Sequence, residues 1–177
     1  MKDTLQYERI LVPPLPNTFA GLMEMYEANY IRIRKMCGAK DAIPSVAVSR
    51  VSKGLDLYLQ VIEQTKYTTT IALTYYFADS TSGFLAYPNL KLRVYYDALQ
   101  AEVMSQTYRR QSPDFIAFNY DIDPSLLKRW YMNRFLYKWL SFCSHQGHSF
   151  LIGDKSRKNH LLTENVEIPL RSTGSPT

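Results

Sequence analysis

Leu55-Asp56-Leu57-Tyr58-Leu59-Gln60-Val61 and Leu90-Lys91-Leu92-Arg93-Val94-Tyr95-Tyr96-Asp97 each place an aliphatic residue at every second position. A period of two is the spacing of a β-strand, whose successive side chains point to opposite faces. Tyrosine, threonine and charge fill the positions between, so each strand buries one face and presents the other, as antiparallel sheets do. Outward from these stretches, Val46 to Val51, Tyr67 to Phe77 and Leu99 to Ser105 also carry strand composition. Lys53-Gly54, Thr65-Lys66 and Asp97-Ala98 fall where tight turns close hairpins, which predicts a meander. Asp114 to Tyr120 is a candidate sixth strand at the edge. Asp79 to Asn89 reads as a loop whose Phe84, Leu85 and Tyr87 fold over the core.

Two helices bracket the strands. Pro13, Pro14 and Pro16 hold an extended arm, Asn17 or Thr18 caps, and Phe19, Leu22, Met23, Tyr26, Tyr30, Ile33 and Cys37 recur at helical spacing before Gly38. Asp123-Pro124-Ser125 is a helix start, because aspartate caps and proline is tolerated at the first helical position. Leu126, Leu127, Trp130, Met132, Phe135, Leu136, Trp139, Leu140 and Cys143 then gather toward one side, and the helix ends near Gly147. The expected fold class is α+β: an antiparallel meander of five or six strands, with the N-terminal and C-terminal helices packed on its aliphatic face. Residues 1–18 form a proline-containing arm, 19–150 one domain, and 151–177 a mobile polar tail.

The chain has 177 residues, enough to bury one sizeable core without a covalent staple. Fourteen tyrosines are a marked excess, and tyrosine suits half-exposed faces because it buries a ring and keeps a polar tip. Cys37 and Cys143 lie far apart outside any metal or redox spacing, and read as reduced, buried thiols of a cytoplasmic protein. No apolar run approaches the length of a membrane span. The net charge of +5 is dispersed, without a basic block or an RNA-binding signature, which leaves nonspecific nucleic-acid contact as the weaker alternative.

Four blocks carry a family resemblance: Leu22-Met23-Glu24-Met25-Tyr26-Glu27-Ala28-Asn29-Tyr30; Glu63-Gln64-Thr65-Lys66-Tyr67-Thr68-Thr69; Leu92 to Ala98 with Ala101-Glu102-Val103; and Asn133-Arg134-Phe135-Leu136 with Trp139-Leu140 and Cys143. In order and spacing they resemble the YqiB-like family of bacterial proteins, over about Phe19 to Phe150. The resemblance implies a domain of unknown function with no assigned catalytic residues. The family commonly has a histidine before its Asp-Ala pair, where this chain has Tyr96.

The sheet's polar face is the expected address for function. It collects Tyr58, Gln60, Thr68, Thr70, Thr74, Tyr76, Arg93, Tyr95, Asp97 and Glu102. Arg93, Tyr95, Asp97 and Glu102 are its best cluster, since a guanidinium beside carboxylates either orders strands or binds an anion. Glu63, Thr65, Tyr67 and Thr68 form a second polar group at a turn. The leading reading is a binding or adaptor domain engaging a protein or a small anionic ligand through this tyrosine-rich face. The alternative is an enzyme of unrecognised type, with Asp97 or Glu102 as general base and Arg93 holding an anion. His145, His148 and His160 fall at a helix end or in the tail without ligand spacing, so neither metal nor cofactor is expected. Nucleotide-binding and hydrolase motifs are lacking.

Overall fold

The computed structural model describes residues 16–79, 83–107 and 123–151. Thr18 caps the first helix, its hydroxyl accepting from the Gly21 amide at 3.0 Å, and α1 runs from Phe19 to Cys37. It stops at Gly38, whose φ of 82° is the left-handed region that glycine enters without a Cβ clash. After a 3-10 turn at Lys40–Ala42 come β1 (Val46–Ser49), β2 (Leu57–Gln64), β3 (Thr68–Asp79), β4 (Gly83–Ala86), β5 (Asn89–Tyr95) and β6 (Gln100–Thr107). The last helix, α2, spans Pro124–Gln146. Asp123 accepts from the Ser125 amide at its start, and Gly147 ends it in the left-handed conformation.

All pairs are antiparallel. The order is β1-β2-β3-β5-β6, a meander, with β4 paired to the far end of β3. Among the described residues a sixth strand is Gly83–Ala86, inside the stretch expected to be a loop. Phe84 and Tyr87 are exposed rather than folded over the core, because hairpin pairing with β3 carries them past the helices. The run Asp114 to Tyr120, the arm before residue 16 and the tail after 151 lie outside the described residues.

Leu57, Leu59, Ile71, Leu73, Leu90, Leu92 and Val94 form one sheet face, all fully buried. The helices cover that face with Ile33, Met36 and Cys37 from α1 and Leu136, Trp139, Leu140 and Cys143 from α2. Each such aliphatic side chain contributes about 2 kcal/mol of transfer free energy. A smaller cluster of Leu22, Met25, Tyr26 and Trp130 joins the N-terminal halves of the two helices. Arg32 fastens the same pair, stacked 3.7 Å from the centre of the Tyr137 ring and donating to the Ser141 hydroxyl. Both cysteines are free and buried. Burial pushes the Cys37 thiol up to about 12 and the Cys143 thiol up to about 11, so neither is a nucleophile near neutral pH.

Asn133 has a task that its polarity on an apolar helix stripe does not announce. It is fully buried, and its side-chain oxygen accepts from the Val103 amide of β6 at 3.0 Å. Its amide nitrogen donates to the Arg129 carbonyl, and Asn29 of α1 donates to the Asn133 carbonyl. One residue thus satisfies an edge-strand donor that water cannot reach and links both helices to the sheet.

His148, just past the end of α2, is buried beside the sheet. Its ring nitrogen lies 3.1 Å from the Ser49 hydroxyl, which also accepts from the Ser149 amide, and Phe150 donates to the Met36 carbonyl. Burial lowers the imidazole pKa, only partly offset by hydrogen bonding to Ser49 and the charge of Asp56. In the unfolded chain such a ring titrates near about 6.5. Between that value and its lower folded one the unfolded chain binds more protons, so stability rises with pH in this window and is lost as pH falls. Urea midpoints at pH 7.5 and 5.5 should show this loss, with a slope bounded by about 1.4 kcal/mol per pH unit for one proton. His148→Asn should flatten that component, and an identical pH dependence in the variant would contradict the assignment.

Candidate functional site

The face opposite the helices is assembled in rows by strand register. Glu63, Thr70, Arg93 and Glu102 are successive partners across β2, β3, β5 and β6, forming one row. Thr68, Tyr95 and Gln100 form the row on one side of it, and Gln60, Ala72, Lys91 and Ser105 the row on the other. Two bulges shape the central row. The register shifts between Val61 and Glu63, and again opposite Lys91 and Leu92, leaving Ile62 and Met104 as the extra residues. Both are half-exposed.

Arg93 is held from two sides. Its Nε donates to the Thr70 hydroxyl at 3.2 Å, and its terminal nitrogen lies 3.5 Å from Glu63. Glu102, its direct neighbour in register, turns elsewhere: one oxygen accepts from the Tyr95 hydroxyl at 2.7 Å, and the other lies 3.5 Å from Arg129 of α2. Burial raises the Tyr95 phenol, and the Glu102 carboxylate raises it further, while Arg93 pulls it down. That hydroxyl therefore feels both charges and stays a donor. The buried Tyr26 hydroxyl of α1 also senses Arg129 and Glu102 without closing a hydrogen bond of ordinary length, and burial raises its pKa. From β2 to α2 the row reads Glu63, Arg93, Glu102, Arg129, alternating in sign.

Asp97 does not join. It sits in the β5–β6 turn, exposed, accepting from the Ala98 amide. Thr65, Tyr67 and Thr68 build the β2–β3 turn. The two threonine hydroxyls are 2.9 Å apart, the Thr68 amide donates to Thr65, and the Tyr67 carbonyl accepts from the Tyr96 amide, tying this turn to the β5–β6 turn. Their hydroxyls close the turn, and of this second group only Glu63 reaches Arg93. Thr70 and Thr74 are on the outer face yet buried, while Tyr58 and Tyr76 pack edge to face with centroids 4.9 Å apart. Burial raises both of their phenols; at Tyr58 the Asp56 carboxylate adds to this and Arg50 opposes it, and at Tyr76 the neighbouring Tyr58 phenol adds to it.

A family model described as "Protein of unknown function (DUF1249)" matches residues 32–149, from within α1 through the end of α2. The chain belongs to this family. Within the DUF1249 match lie the charged row of Glu63, Arg93 and Glu102, the Arg129 that continues it, and the Asn133 bridge. The chain is also 28% identical over 138 residues to "Uncharacterized protein YqiB" of Escherichia coli strain K12, covering 73% of this chain and 90% of that one. The YqiB proteins of the O6:H1 and O157:H7 strains match to the same extent. No solved structure matches. Tyr96 donates to the buried Thr69 hydroxyl and packs edge-on against Tyr30, so this position serves the core. Among the described residues no group of histidine, cysteine, aspartate and glutamate could hold a metal, and no helix is long and apolar enough to cross a membrane.

Proposed function

We propose that this chain is a cytoplasmic binding or adaptor module whose outer sheet face engages a partner, with Arg93 as the anchor. The observation that carries this reading is the state of Arg93. Thr70 fixes the guanidinium at its Nε, while the other contact is one ion pair to an exposed glutamate, and about a third of the side chain remains open. A pre-oriented, partly desolvated arginine beside a tyrosine is the composition of a binding hot spot. A carboxylate or phosphate that displaced Glu63 would gain a bidentate site at little ordering cost. The extended, row-built face favours a protein over a small anion. The enzyme alternative loses support, because Asp97 is spent on its own turn and both Glu102 oxygens are engaged. The two buried thiols fit a reducing compartment.

The test is affinity capture from native lysate with wild type, Arg93→Ala and Tyr95→Ala as baits, each first shown to be folded by circular dichroism. Recovery of the specific partner should drop about tenfold or more in either variant. Equal recovery with all three baits would remove the sheet face from the account.

A further inference from the structure

We propose that the solvent face of α2 is a docking surface for single-stranded nucleic acid, with phosphates on Lys128, Arg134 and Lys138 and bases stacked on Tyr131 and Phe142. This surface lies on the other side of the sheet from Arg93 and is independent of whatever the outer sheet face engages. The charge that the sequence spreads along the chain is concentrated here. α2 carries Lys128, Arg129, Arg134 and Lys138 and no aspartate or glutamate in its 23 residues, so one helix holds four of the net +5 charges. Arg129 turns to Glu102. Among the described residues no carboxylate pairs with the other three cations, and all three are exposed.

Helix geometry sets cations and rings in one stripe. At about 3.6 residues per turn, Lys128, Tyr131, Arg134, Phe135, Lys138 and Phe142 fall within roughly a third of the circumference. Lys128, Tyr131, Arg134, Lys138 and Phe142 follow one another at steps of three or four residues, the spacing at which helical side chains meet. Arg134 and Lys138 repel at that spacing, a local cost that no acid on the helix offsets and that a phosphate between them removes. Tyr131 and Phe142 are exposed, with Phe135 half-buried between them. The two exposed rings are about 17 Å apart along the axis, the length of about five stacked nucleotides. Rings interleaved with cations fit a single strand, whose bases are open to stacking while its phosphates stay within reach. A duplex hides its bases. A lipid surface would need a continuous apolar stripe, and that of α2 is already turned to the sheet through Leu136, Trp139, Leu140 and Cys143.

The test is fluorescence anisotropy of the full chain with a labelled oligouridylate of about fifteen nucleotides. Three phosphate contacts on a single strand should give a log–log salt slope of about −2, an affinity loss of about twentyfold between 50 and 200 mM salt. Lys138→Ala should weaken binding and cut that slope by about a third. Phe142→Ala should weaken binding about tenfold with the slope unchanged, because it removes stacking and no charge. Lys91→Ala deletes an exposed cation on the opposite sheet face and should stay within about twofold of wild type. The substituted side chains are all exposed, and circular dichroism of each variant checks the fold. No binding at low salt, or equal losses in Lys91→Ala and Lys138→Ala, would overturn the surface. A duplex bound as tightly as the single strand, with Phe142→Ala without effect, would reduce the contact to charge and overturn the single-strand assignment. Vesicles of phosphatidylserine and phosphatidylcholine that bind in a Phe142-dependent way, where the oligouridylate does not, would give the stripe to lipid and overturn it likewise.

Discussion

Trp139→Ala is expected to lower stability by about 4 kcal/mol, the usual cost of truncating a buried tryptophan. For a domain of this size that corresponds to a fall in melting temperature of roughly 8–16 °C. Trp139 is 8% exposed in the main core and packs edge to face on Tyr75, with ring centroids 5.7 Å apart. Tyr75 in turn lies 3.4 Å from the Cys143 sulfur and 5.7 Å from the His148 ring. Removing the indole therefore opens a cavity where α2, the sheet and the segment after α2 meet. Phe142, three residues along the same helix, is 50% exposed. Phe142→Ala should change stability by no more than about 0.5 kcal/mol. Equal losses in the two variants by urea titration would mean that α2 does not present this side to the sheet.

Asn133→Leu has the second largest expected effect, about 3 kcal/mol. The two side chains share the same branching of four heavy atoms, and although leucine is the bulkier, most of the loss comes from polarity: the Val103 amide keeps its burial and loses its acceptor. The Arg129 carbonyl loses its contact with the Asn133 side chain as well. A leucine on an apolar stripe would ordinarily be expected to help a helix. Amide exchange separates the two expectations. The Val103 amide should exchange much faster in the variant while amides at the sheet centre, such as Leu73, follow only the global loss. A stabilised variant with Val103 still protected would show that the edge is satisfied by another group.

Strand alternation was legible wherever it was unbroken, which is why β2, β3, β5 and β6 and the covered face could be read from Leu57, Leu59, Leu90, Leu92 and Val94. The caps at Thr18 and Asp123 were legible for a similar reason, since their chemistry is local. What escaped was non-local. In strict alternation Glu63 falls in phase with Leu57, Leu59 and Val61 and would enter the core. The bulge at Ile62 turns it to the outer face beside Arg93. The pairing of Glu102 with Tyr95 and Arg129 rather than Arg93 depends on where α2 lies against the β6 edge. β4 is four residues beginning with glycine and gains its pairing only from the length of β3. Asn133 and His148 were hidden because a polar side chain in an apolar pattern announces neither burial nor its partner.

The reading of this protein as a module that binds through its outer sheet face is tested most directly by amide chemical-shift mapping of the isotopically labelled chain. Spectra would be recorded across a concentration series and with the partner recovered by capture. The expected shifts cluster on Ile62, Glu63, Thr68, Arg93, Tyr95, Glu102 and Met104. Shifts confined to the solvent side of α2, around Tyr131, Lys138 and Phe142, with the sheet rows unmoved, would contradict it.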